Sequence, residues 1–88
     1  MNRNIKPIKY YKGKYFIVFY DKSDEKFLYL FNNVREILNF QKKSITTENI
    51  NLINVELYRA LRRNGNLCKF LTGEIMRVYI VDVNDEFN

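Results

Sequence analysis

The sequence predicts an α+β fold: a small antiparallel sheet of three to four strands with two helices packed on one face, in the order β-β-α-α-β. Three observations predict it. Two apolar blocks, 14–20 (KYFIVFY) and 26–31 (KFLYLF), are rich in β-branched and aromatic residues and too short for helices. Between residues 33 and 65 the apolar positions recur instead at three- and four-residue spacing, the helical period. A last apolar block, 75–83 (IMRVYIVDV), returns to alternation, with Met76, Val78 and Ile80 on one side and Arg77 and Tyr79 on the other.

Block 14–20 is apolar without interruption, so it is expected to be a central strand covered on both faces. Asp21-Lys22-Ser23-Asp24-Glu25 is polar turn material, and it joins this strand to block 26–31 as a hairpin. Asn33 with Glu36 three residues later reads as a capping box, and Val34, Ile37 and Leu38 then start a short helix that fades near Gln41. The connection 42–47 leads to the long helix, with Thr46 or Thr47 as its cap and Asn64-Gly65 as its stop. Ile50, Ile53, Leu57, Ala60 and Leu61 form its core stripe, while Leu52, Val55, Arg59, Arg62 and Arg63 share the opposite side. Phe70-Leu71 is expected as a short extra strand, and 5–11 as an edge strand or arm broken by Pro7.

Eighty-eight residues make one domain, 1–88, within which 1–13 is a basic arm or edge strand and 84–88 a fraying acidic tail. The chain is 47 % hydrophobic, with seven Phe and seven Tyr, which supplies a core and argues against intrinsic disorder. One cysteine, Cys68, cannot bridge within the chain, so a reducing, cytoplasmic setting is expected. Its apolar neighbours argue for packing over reactivity, despite the adjacent Lys69. No apolar run approaches the roughly 20 residues that span a bilayer, so no membrane partner is expected.

The chemistry of the side chains narrows function further. There is no histidine, which removes the commonest general base and zinc ligand. The acids gather only as Asp21/Asp24/Glu25 in a turn and Asp82/Asp85/Glu86 near the end, and no glycine-rich phosphate loop is present. The expectation is therefore a non-enzyme without cofactor or metal. Block 12–19 (KGKYFIVF) partly matches the aromatic strand of RNA-binding RRM domains, but core packing accounts for its rings at less cost.

What remains is charge. The net charge is +5, and Arg3, Lys6, Lys9, Lys12 and Lys14 all precede the first acid. Arg59, Arg62 and Arg63 add a cluster on the long helix, with Lys42 and Lys43 flanking it. Such a distribution suits an anionic partner, although basic residues in a last helical turn also complement the helix dipole without one.

The plan, with a strand ending in Tyr20-Asp21, a second ending at Phe31, a helix from Asn33, a second helix and a closing Val78-Tyr79-Ile80-Val81-Asp82 strand, resembles small uncharacterised proteins of Firmicute phages and mobile elements. Some of those are similar in turn to the DNA-binding modules appended to homing endonucleases. The long second helix and the loose 42–47 connection depart from a helix-turn-helix. The expected function is nucleic-acid binding, with Arg59, Arg62, Arg63, Lys42 and Lys43 on phosphates and Arg3, Lys6 and Lys9 as an arm. The alternative is a protein-interaction module, such as an inhibitor of a host protein, using Leu52, Val55 and Arg59. A third reading is that Leu52 and Val55 pack under the first helix or close a homodimer.

Overall fold

The structure, a computed structural model, describes residues 15–82. The expected arm with Arg3, Lys6 and Lys9 and the expected tail at 84–88 lie outside the described residues. Strands β1 (Tyr15–Asp21) and β2 (Phe27–Phe31) precede helices α1 (Val34–Phe40) and α2 (Thr47–Arg62), and β3 (Leu67–Cys68) and β4 (Met76–Asp82) follow. These form a four-stranded antiparallel sheet ordered β2-β1-β4-β3, with the α+β arrangement the apolar blocks predict.

β1 is central because it pairs on both edges. Ile17 faces Phe31 on β2 and Ile80 on β4, and Phe19 faces Tyr29 and Val78. Alternation sends Ile17, Phe19, Phe31, Met76 and Val78 toward the helices. There they meet Val34, Ile37 and Leu38 of α1 and Ile53, Leu57, Ala60 and Leu61 of α2 in one core. Edge-to-face contacts tie its aromatic part together, with Phe19 5.8 Å from Phe31 and 5.9 Å from Phe70 between ring centres. Among the described residues both helices take the same face of the sheet, so the other face of β1 carries no helix there. Val18, on the other face, is buried between its register partners Leu30 and Tyr79.

The short strand falls at Leu67–Cys68, where Phe70-Leu71 was expected. Leu67 and Cys68 pair with Arg77 and Met76, while Phe70 and Leu71 lie in the following turn and pack on the core with their side chains. Their apolar character reports burial, not pairing.

Both helix starts are built by side chains. Asn33 Oδ1 accepts from the Glu36 amide at 3.0 Å, as a capping box requires. The return bond is shifted by one residue: Glu36 Oε1 accepts from the Asn32 amide at 2.8 Å. That bond, with the Asn32 side-chain amide, holds the Glu36 carboxyl below its ordinary pKa. For α2 the cap is Thr46, whose hydroxyl accepts from the Asn49 amide at 3.1 Å.

Arg77 fastens the far end of the sheet. Its Nη1 donates to the Gly65 carbonyl at 2.9 Å and its Nε to the Lys22 carbonyl at 2.6 Å, joining the turn after α2 to the β1–β2 loop. In that loop Asp21 Oδ1 accepts from the Ser23 hydroxyl and the Glu25 and Lys26 amides. Against a desolvation that pushes the Asp21 pKa up, these bonds bring it below its ordinary value. Asp21, the first acid of the sequence's first acidic cluster, is thus a turn scaffold, while Asp24 reaches β4, accepting from the Tyr79 hydroxyl at 2.7 Å.

Candidate nucleic-acid interface

α2 amounts to four and a half turns whose inner stripe, Ile53, Leu57, Ala60 and Leu61, is buried. Its outer side carries Leu52, Val55, Arg59 and Arg62, all exposed, as the 100° step predicts. Leu52 is 59 % and Val55 44 % exposed, so neither packs beneath α1. A shallow groove runs along this side, lined by Asn51, Asn54, Val55, Tyr58, Arg59, Arg62 and Arg63. No carboxylate is among these residues.

The three arginines are held differently. Arg59 is exposed and makes no hydrogen bond or ion pair among the described residues. Arg62 folds back over Tyr58, its guanidinium carbon 5.4 Å from the ring centre and its Nη1 donating to the phenol oxygen at 3.0 Å. That contact fixes the guanidinium's position while leaving donors for another acceptor. Arg63 is not helical: its ψ of 153° is extended, and α2 ends at Arg62. The expected i, i+3, i+4 helical cluster is therefore two residues on the helix and one just beyond it. Arg63 Nη1 donates to the Leu67 carbonyl at 3.3 Å, so part of its fork stabilises the turn into β3.

The helix stops at the extended Arg63, and the chain then turns toward β3 through Gly65 (φ 77°) and Asn66 (φ 55°), both in the left-handed conformation that Gly and Asn tolerate best. A Cβ on Gly65 would come within 2.5 Å of Arg77 Nη1, so the glycine also makes room for the clip.

Lys42 and Lys43 do not join this cluster. They precede the N-cap of α2, whereas the arginines end the helix, with roughly 24 Å of helical rise from Thr46 to Arg62. Lys42 instead terminates α1 in the left-handed region (φ 58°), with its amide donating to the Asn39 carbonyl and that of Lys43 to the Leu38 carbonyl. This pair of bonds is a Schellman stop without its usual glycine. Arg3, Lys6 and Lys9 are outside the described residues.

Sequence reasoning missed Asn51, Asn54 and Tyr58, which share the groove with the arginines. The signal was present in the 51/54/58/62 spacing, but polar residues on a helix read by default as a solvated face. Asn54 Oδ1 is buried with no hydrogen-bond partner among the described residues. Cys68, by contrast, is buried, and desolvation raises its thiol pKa from 9.0 to about 11, against reactivity.

Among the described residues no helix is long and apolar enough to cross a membrane. No protein-family model, curated protein or solved structure matches this chain.

Proposed function

We propose that this chain is a non-enzymatic nucleic-acid-binding accessory protein of a phage or mobile element, gripping phosphates through the outer side of α2. The observation that carries the reading is the groove on that side, to which Arg59, Arg62 and Arg63 contribute and, among the described residues, no acid does. Arg59 supplies a guanidinium with no competing partner among the described residues, and Arg62 one already positioned by Tyr58. Ordering a long side chain before contact lowers the entropy lost on binding. Two or three phosphate contacts of this kind give weak, electrostatic affinity without base readout.

The reading is tested by fluorescence anisotropy with short duplex and single-stranded DNA and RNA over a range of salt. Each phosphate contact to duplex DNA adds about −0.9 to the slope of log K against log salt, so three give roughly −2.7. Arg59→Ala with Arg62→Ala should remove about two-thirds of that slope. No saturable binding at low salt, or a slope unmoved by the double substitution, overturns the proposal.

The exposure of Leu52 and Val55 favours a second reading, a module that docks on a host protein. Phosphate contact makes no use of two apolar side chains at the centre of the face.

A further inference from the structure

Glu48, Leu52, Val55, Arg59 and Arg62 follow one another along α2 at intervals of four, three, four and three residues, and all five are exposed. That alternation is the seam of a two-stranded coiled coil, in which residues repeating every 3.5 positions face a partner helix. The seam has a sign at each end and apolar residues at its middle: an acid in the first turn, Leu52 and Val55 centrally, arginines in the last turn.

We propose that this face pairs with the same face of a second copy, with the two α2 helices antiparallel about a two-fold axis. Charge selects both the occupant and the direction. A parallel pair would set Glu48 against Glu48 and Arg59 against Arg59. In the antiparallel pair Leu52 packs on the partner's Val55 and, four residues out on either side, Glu48 meets the partner's Arg59. The symmetry repeats each contact, so the face is complementary to itself, as a two-fold interface requires. Ile45, also exposed, lies just before the N-cap at the end where the partner's Arg62 stem arrives. The pairing covers Leu52 and Val55, the two exposed apolar side chains of α2. Because two heptads make a small interface, the dimer is weak and reversible. It also shares Arg59 with the phosphate-binding surface, so a second copy and a nucleic acid exclude one another there.

Sedimentation equilibrium from micromolar to millimolar protein tests the pairing, with circular dichroism confirming that each exposed-site variant remains folded. The expected result is a mass that rises from one chain to two. Leu52→Glu should hold the protein monomeric throughout. Glu48→Arg alone should raise the dissociation constant by about tenfold, through two lost pairs and two new repulsions. Adding Arg59→Glu to Glu48→Arg restores opposite charges in both pairs and should bring the constant back to within about threefold of the parent. A chain monomeric at millimolar concentration overturns the proposal. So does a dimer that Leu52→Glu leaves intact, or one whose charge reversals fail to compensate.

Discussion

The two sides of α2 carry similar apolar residues under opposite conditions. Leu57 is fully buried between the sheet and the rest of the core, whereas Leu52, five residues earlier on the same helix, is 59 % exposed. Burying a leucine stabilises the fold by roughly 1.5–3 kcal/mol, so Leu57 contributes on that scale and Leu52 contributes little. Apolar periodicity thus reports where a helix has neighbours, and apolar residues outside the stripe mark a surface still lacking one.

The largest test of this contrast is Leu57→Ala, expected to cost about 3 kcal/mol in a urea titration, since it opens a cavity at a fully buried site. In a domain this small that is a large share of total stability. A loss below about 1 kcal/mol would mean that the inner stripe is not the anchor of α2.

Next is the junction where α2 turns back to the sheet. Gly65→Ala should cost roughly 1–2 kcal/mol, because Ala is strained at φ 77° and its Cβ displaces the Arg77 guanidinium from the Gly65 carbonyl. Arg77→Lys should then cost less in that background than in the parent, since the Gly65 contact is already broken and the contact with the Lys22 carbonyl is what remains to be lost.

A pH series sharpens the inner side further. Burial raises the Cys68 thiol from 9.0 to about 11, so the folded state favours the protonated form. Its contribution is present in full below pH 9 and is lost as pH rises through about 11. Cys68→Ala should flatten the alkaline limb of stability against pH, with the difference from the parent growing across that window.

The smallest effect belongs to the outer side: Leu52→Ala should change stability by less than about 0.5 kcal/mol in the monomer. A loss as large as that at Leu57 would erase the distinction between the two sides of α2.

Much of the architecture was legible because it repeats. The apolar blocks that became β1, β2 and β4, the α2 stripe and the cap at Asn33 all follow from local periodicity and capping chemistry, which narrow the α2 cap to Thr46 or Thr47. β3 was not legible at Leu67-Cys68, since two residues have no period and become a strand only by pairing with Met76 and Arg77. Phe70-Leu71 was apolar for a different reason, as side-chain packing in a turn. The Arg77 clip was equally hidden, because Lys22 and Gly65, whose carbonyls it binds, are 55 and 12 residues away along the chain.

The candidate site divides in the same way. That Leu52, Val55, Arg59 and Arg62 share one side of a helix follows from their spacing alone, because a 100° step leaves no other arrangement. The exposure of this side, the departure of Arg63 from the helix and the place of Lys42 and Lys43 in the stop of α1 all depend on how the chain folds around them. Periodicity is a property of one chain segment, whereas exposure depends on what the rest of the chain brings against it.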